Sequence, residues 1–218
     1  MYMNQRLPNH IGIIPDGNRR WAQKNGLNKE DGYDYGIKPG FELYKKCIEL
    51  GIKEITFYGF TQDNTKRPAA QTKAFQQACI DSVLTLCEYD ANLLIVGNTD
   101  SPLFPKKLMP YTKRTSFGEG LINVNFLVNY GWNWDLSYSR NISKNGTVNI
   151  SSSIASSDIS RIDLIIRWGG RRRLSGFLPI QSIYADFYVI DEYWPDFELN
   201  HFYQALEWYT KQDVTLGG

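Results

Sequence analysis

Short apolar runs alternate along the chain with stretches of helical periodicity. Ile11–Ile14, Glu54–Tyr58, Leu93–Val96, Val124–Val128 and Ile162–Ile166 are too short for helices and too continuously apolar for strands wetted on one face. They predict buried strands of a mostly parallel sheet. Between the first two runs, Phe41, Tyr44, Cys47 and Ile48 recur at helical spacing, and Gly51 supplies a left-handed stop. That segment reads as a β-α-β unit. A second helix is expected after Pro68, with Phe75, Ala78, Cys79, Val83, Leu86 and Cys87 on one face, and a third over Glu198–Gln212. The class is therefore α/β, with helices flanking the sheet. At 218 residues the chain fits one domain spanning 1–218. No internal repeat is visible, and the Ser/Asn-rich piece Ser137–Ser160 is expected to be an irregular or weakly helical surface segment.

Composition changes this picture little. Hydrophobic residues make up 42% and charged ones 22%, as in ordinary folded proteins. A net charge of +1 gives no global field for nucleic acid or an anionic bilayer, so an anion site must come from local clustering. The expectation is no nucleic-acid partner. No apolar run reaches the length of a membrane span, so no transmembrane segment is expected. Cys47, Cys79 and Cys87 are odd in number and lack metal-ligand spacing, and the N-terminal residues carry no secretory leader. A cytoplasmic location with reduced thiols follows as an expectation. The N-x-S/T triplets at Asn141, Asn145 and Asn149 are then coincidences of composition.

In open α/β sheets ligands gather beyond the carboxyl ends of strands. Three such places stand out: Asp16-Gly17-Asn18-Arg19-Arg20-Trp21, then Phe60 to Pro68, then Arg167-Trp168-Gly169-Gly170-Arg171-Arg172-Arg173-Leu174-Ser175. Two readings of Asp16 stand side by side. It either caps the helix expected near Asn18, or its carboxylate and the following N–H groups hold a hard cation with a phosphate. Four arginines between 167 and 173, broken by a Gly pair, are either a solvated charge run or a cradle for diphosphate oxygens, which guanidinium forks suit. Some chemistry is excluded. There is no G-x-x-x-x-G-K-[ST] loop and no D-D-x-x-D motif, and the only histidines, His10 and His201, have no triad or zinc partners nearby in sequence.

Three segments resemble the motifs of the cis-prenyltransferase family, to which undecaprenyl diphosphate synthase belongs. His10–Ala22, HIGIIPDGNRRWA, is similar to the opening motif, and Glu54–Pro68, EITFYGFTQDNTKRP, to the second. Ile162–Phe197 is similar to the long third signature, with its Arg-rich turn, R-L-S-x-F and W-P-D-F. The motifs fall in the family's order and span nearly the whole chain.

The resemblance implies a Mg²⁺-dependent enzyme of that fold, joining an allylic prenyl diphosphate to isopentenyl diphosphate, or using dimethylallyl diphosphate, and working as a homodimer. It implies that Asp16 binds Mg²⁺ and the allylic diphosphate, which Gly17, Asn18, Arg19, Arg20 and Lys29 cradle. Asn64 and Arg67 would help the leaving group depart. Arg167, Arg173 and Ser175 would hold the second diphosphate, with Arg171 beside them. Asp186 stands where the family has a metal-binding Glu. Trp21 and Phe60 would face the prenyl chain, although as lone aromatics they fit a core equally well.

Several positions depart from the family pattern. Arg171 replaces a Glu, Tyr33 a His, Thr65 a Trp, and Trp132-Asn133 a Gly-Arg pair; the tail from Gln212 to Gly218 lacks the family's arginines. We read Arg171 and Arg172 as positive charge moved from tail to turn. The expected product is a short cis-prenyl diphosphate. Irregular coupling, cyclisation or transfer to another acceptor is the alternative, by a looser similarity to lavandulyl and cyclolavandulyl diphosphate synthases. A non-catalytic partner subunit is the third reading, against which the retained D-G-N motif argues.

Overall fold

The computed structural model describes residues 6–138 and 149–213. The strands are β1 (His10–Ile14), β2 (Glu54–Tyr58), β3 (Ala91–Val96), β4 (Thr115–Phe117), β5 (Ile122–Leu127), β6 (Leu164–Arg167) and β7 (Asp186–Val189). They form one sheet in the order β4-β3-β5-β2-β1-β6-β7, parallel throughout except for β4 against β3. The helices are α1 (Asn18–Lys24), α2 (Ile37–Glu49), α3 (Ala69–Leu86), α4 (Trp132–Ser137), α5 (Ile150–Ser153) and α6 (Leu199–Thr210). The five expected strands are present, Glu54–Tyr58 with the expected ends and the other four with shifted ends. β4 and β7, both at sheet edges, were not anticipated.

The parallel strands are apolar on both faces because both are covered. Ile11, Ile13, Ile55 and Phe57 pack with Leu43, Tyr44 and Cys47 of α2, Val83 of α3 and Phe202 and Leu206 of α6. On the other face Ile14, Leu127 and Ile165 meet Ile159, Ile162, Phe177 and Leu178. Ser137–Ser160 departs from the expected surface segment. Its residues 139–148, with Asn141 and Asn145, lie outside the described residues. The part that follows is anchored: Ile154, Ser156 and Ile159 are buried, and Ser156 donates through its N–H and hydroxyl to the Asp135 carboxylate at 2.8 and 2.7 Å. Asn149 caps α5 by accepting from the Ser151 N–H.

Both histidines have structural posts. His10 is buried, its Nε2 2.8 Å from Thr56 Oγ1 and its Nδ1 3.0 Å from the Ser160 carbonyl. His201 Nδ1 accepts from the Glu198 N–H at the start of α6. Gly51 closes α2 at φ 73°, as the pattern predicts.

Strand order decides where a site belongs. The chain leaves β1 through α2 toward β2 on one side and returns to β1 through β6 on the other. A crevice therefore opens beyond the carboxyl ends of β1 and β6. The register Ile14↔Arg167 sets the loop after β1 directly beside the end of β6.

Candidate active site

The loop after β1 is built around one left-handed residue. Gly17 precedes α1 at φ 107°, and a Cβ there would lie 2.7 Å from Cδ1 of Tyr193. Only glycine combines that φ with that approach. The N-cap of α1 is Gly17 itself, and no side chain caps the helix. Of the two readings of Asp16, capping is therefore set aside. Its Oδ1 accepts from the Gly17 N–H at 2.6 Å and lies 3.5 Å from Arg20 Nη2; its Oδ2 accepts from Arg167 Nη2 at 2.8 Å.

Arg167 ends β6 and is 4% exposed. Besides Asp16 it donates to Ser175 Oγ at 2.9 Å and to the Arg173 carbonyl, which folds the Arg-rich turn back over the strand end. Ser175 sits at φ 54°, and its carbonyl accepts from the Tyr58 hydroxyl at 2.8 Å. Arg20 donates to the Gly169 carbonyl at 2.9 Å and lies 5.0 Å from the centre of the Tyr193 ring. From the third strand end, Asn64 Oδ1 accepts the Thr61 N–H at 3.0 Å, stiffening the turn Gln62–Lys66. Arg67 follows that turn, and its Nη1 donates to the Tyr33 hydroxyl at 2.7 Å.

These residues line one polar cleft of about 530 Å³. Asp16, Gly17, Asn18, Arg19, Arg20, Lys29, Asn64, Arg67, Arg167, Arg171, Arg173 and Ser175 all contribute, so twelve of the expected site residues come together. Seven cationic side chains face two carboxylates, Asp16 and Asp63, in a chain whose net charge is only +1. Among the described residues, two buried polar atoms of cleft-lining side chains have no hydrogen-bond partner: the donor Arg167 Nε and the acceptor Asn18 Oδ1. Folded proteins leave few such atoms. Burial lowers the Arg67 pKa, with the neighbouring Tyr33 and Asp16 opposing.

A second cavity adjoins the first. It is an apolar channel of about 80 Å³ between α2, α3 and the sheet, walled by Ile37, Phe41, Phe57, Ala78, Leu86 and Phe126. Cys79 also lines it, and burial pushes its thiol up to about 12, so it presents neutral sulfur. Pro15, Asn18, Tyr33, Gly59 and Phe75 line both cavities and form the throat between them.

Three expected residues lie elsewhere. Asp186 begins β7 and pairs in register with Leu164, three residues before Arg167. At a rise of about 3.3 Å per residue it is on the order of 10 Å below the strand ends. Burial raises its pKa, opposed by Arg6 and aided by Asp163. It therefore cannot join Asp16 around an ion within one chain. Trp21 turns to the outside of α1, where its Nε1 donates to Asp196 at 2.6 Å and its ring meets Tyr35 at 4.5 Å. Phe60 is fully buried, edge-on to Phe75 at 5.8 Å, and backs the throat without lining it. Of the two extra arginines in the turn, Arg171 faces the cleft, whereas Arg172 lies 3.9 Å from Asp191 on the surface. Sequence reasoning does not assign Tyr33, Tyr58 and Phe75 to the site; the His-to-Tyr exchange at position 33 is the one signal among them.

A cation-lined cleft at the switch point of the sheet, beside an apolar cavity that shares five of its wall residues, suits the phosphate ester of an apolar alcohol. Known proteins narrow this further. Residues 14–217 match the family described as "Putative undecaprenyl diphosphate synthase". The ditrans,polycis-undecaprenyl-diphosphate synthase, farnesyl-diphosphate specific, of Aliivibrio fischeri is 31% identical over 97% of this chain and 89% of its own length. That of Buchnera aphidicola subsp. Schizaphis graminum is 33% identical over 96% of this chain and 91% of its own. Among solved structures, lavandulyl diphosphate synthase from Lavandula x intermedia, in complex with dimethylallyl diphosphate, shares the fold with a TM-score of 0.83 at 22% identity, covering 97% of this chain and 99% of that one. The chain belongs to the undecaprenyl diphosphate synthase family of cis-prenyltransferases, isoprenyl transferases that condense prenyl diphosphates. Among the described residues no helix is long and apolar enough to cross a membrane.

Proposed function

We propose that this chain joins an allylic prenyl diphosphate to isopentenyl diphosphate and releases a short cis-prenyl diphosphate. The observation that carries this reading is the shared wall. A diphosphate held by the cleft cations has the apolar cavity directly beside it, across the shared wall of Pro15, Asn18, Tyr33, Gly59 and Phe75, where its hydrocarbon tail can be taken up. The channel's small volume favours a short tail.

In this reading Gly17, Asn18, Arg19, Arg20 and Lys29 hold the allylic diphosphate, and Arg67 stabilises charge as it departs. Arg167, Arg171, Arg173 and Ser175 hold the second diphosphate. The allylic C1–O bond breaks with its electron pair on the leaving diphosphate, and the acceptor's double bond forms the new carbon–carbon bond. Bond formation at the acceptor's terminal carbon leaves the positive charge on its tertiary carbon, and a proton then leaves the methylene carbon on the far side of that centre for a phosphate oxygen, which forms the new double bond. The apolar channel keeps water from the electron-poor carbon.

Magnesium fits the donor set. The cleft supplies the part-exposed carboxylate of Asp16, with Asp63 as a second carboxylate on its wall; no group of three or more His, Cys, Asp or Glu able to hold a metal occurs among the described residues. Few protein oxygens and many phosphate oxygens is how Mg²⁺ is usually held. When bound it would neutralise charge on the departing diphosphate. Arg171 supplies positive charge at the second subsite, in keeping with the transfer of charge from tail to turn; Val214–Gly218 lie outside the described residues. A homodimer is part of the proposal by family likeness.

The test is product analysis by mass spectrometry. Purified protein would be given dimethylallyl, geranyl or farnesyl diphosphate, each with and without isopentenyl diphosphate and Mg²⁺. Mg²⁺-dependent incorporation of one or a few isopentenyl units is the expected result. Long products would overturn the short-chain reading. Coupling of dimethylallyl diphosphate alone would establish the irregular reaction, which the same narrow channel would accommodate. No turnover with any donor would leave the partner-subunit reading.

A further inference from the structure

Tyr33 is held on every side. Gly32 lets its turn, Asp31–Gly36, meet α1 so closely that a Cβ would lie 2.2 Å from the Asn18 carbonyl oxygen. The Tyr33 ring stacks on Phe75 of α3 with centroids 4.5 Å apart and planes 7° from parallel. Only 4% of the residue is exposed, and it lines both cavities. Its hydroxyl is an acceptor for Arg67 Nη1 at 2.7 Å, and the Arg67 guanidinium carbon lies 5.8 Å from the centre of the Phe75 ring.

Arg67 needs that support. It follows the surface turn Gln62–Lys66, no described carboxylate forms an ion pair with it, and Arg19, itself bound to Gln71 at 3.2 Å, opposes its charge from the same side. A long guanidinium side chain in such a place would sample several rotamers, each placing the charge differently. The phenol and the Phe75 face select one.

We propose that Tyr33 is a positioning residue: its hydroxyl fixes the Arg67 guanidinium at the throat, so that the charge meets the leaving diphosphate just where the hydrocarbon tail turns into the channel. This rests on the role given to Arg67 under Proposed function. Burial raises the Tyr33 pKa despite the nearby arginines, so the hydroxyl stays neutral at working pH and keeps its lone pair for Arg67.

Tyr33→Phe removes the hydroxyl and keeps the ring stack. Steady-state kinetics with dimethylallyl, geranyl and farnesyl diphosphate in turn, each with isopentenyl diphosphate, should show kcat lowered about tenfold, the size of one lost hydrogen bond to a charged group, with the allylic KM changed less than about twofold. In an Arg67→Ala background the same substitution should have no further effect, because Tyr33 acts only through Arg67. Unchanged kcat in Tyr33→Phe, even with a lowered melting temperature, overturns the inference, as does a full tenfold loss on top of Arg67→Ala. If Arg67→Ala alone leaves turnover intact, it is the role assigned to Arg67 that fails, and this inference falls with it.

Discussion

Replacing Asp16 by Asn removes one charge while preserving shape, and so separates an acceptor of hydrogen bonds from a holder of cations. An amide oxygen can still accept from Arg167, which lies 2.8 Å from the carboxylate in the native chain. The Coulomb contact between unit charges at that distance is about 1.5 kcal/mol at a dielectric of about 80 and about 6 kcal/mol at about 20. Because the Asp16 side chain is 33% exposed and Arg167 only 5%, desolvation and solvent screening bring the net loss of stability to about 1–2 kcal/mol. Binding should move in the opposite direction. Without its carboxylate the cleft presents seven cations against Asp63 alone, so inorganic pyrophosphate without magnesium should bind Asp16→Asn at least as tightly as the native protein. Adding Mg²⁺ should tighten pyrophosphate binding only in the native protein, and turnover in the variant should drop by about a thousandfold or more. Titration calorimetry with pyrophosphate, with and without Mg²⁺, reads both effects. An equal gain from Mg²⁺ in the two proteins would refute the reasoning and leave Asp16 as a counter-ion of Arg167.

The Gly17 turn gives a second prediction. Gly17→Ala combines left-handed strain with the contact on Tyr193 and should cost about 2–4 kcal/mol, whereas Gly26→Ala, at φ 71° in open space, should cost about 1 kcal/mol; similar urea midpoints for the two would refute this. A third concerns pH. Burial holds the His10 pKa below its usual 6.5, against the opposing pull of Glu54 and Asp163, so the unfolded chain binds the proton first as pH falls. Stability measured by urea unfolding should therefore decline as pH drops below about 6.5, and His10→Asn, less stable throughout, should flatten that decline.

The parallel strands were legible because each is buried on both faces and its apolar run is uninterrupted. The edges were not. β4 spans only Thr115–Phe117, and β7 is half-buried along its length, so neither carries a clear signal. Strand ends also located most of the cleft, since Asp16, Asn64 and Arg167 each follow an apolar run. Asp186 shows the limit of that reasoning. A motif fixes a residue's place along the chain, but the register Leu164↔Asp186 puts this one at the amino end of its strand, away from Asp16. Trp21 fails for a different reason. The inner face of α1 is taken by Asn18 and Ala22, which leaves Trp21 to turn outward. The pairing of Tyr33 with Arg67 joins residues 34 apart on separate elements, a contact that local periodicity does not encode.

The pairing of β1 with β6 has a consequence for synthesis of the chain. Asp16 and Arg167 are 151 residues apart, and only that pairing brings them together. Contacts of such long range form late, after most of the loop-closure entropy has been met by other elements. A nascent chain emerging from the ribosome thus carries the Asp16 loop from the start and gains a complete diphosphate cradle only when β6 docks. Until then Asp16 has Arg20 but not Arg167 beside it, and unfinished chains should lack the second diphosphate subsite of Arg167, Arg171, Arg173 and Ser175.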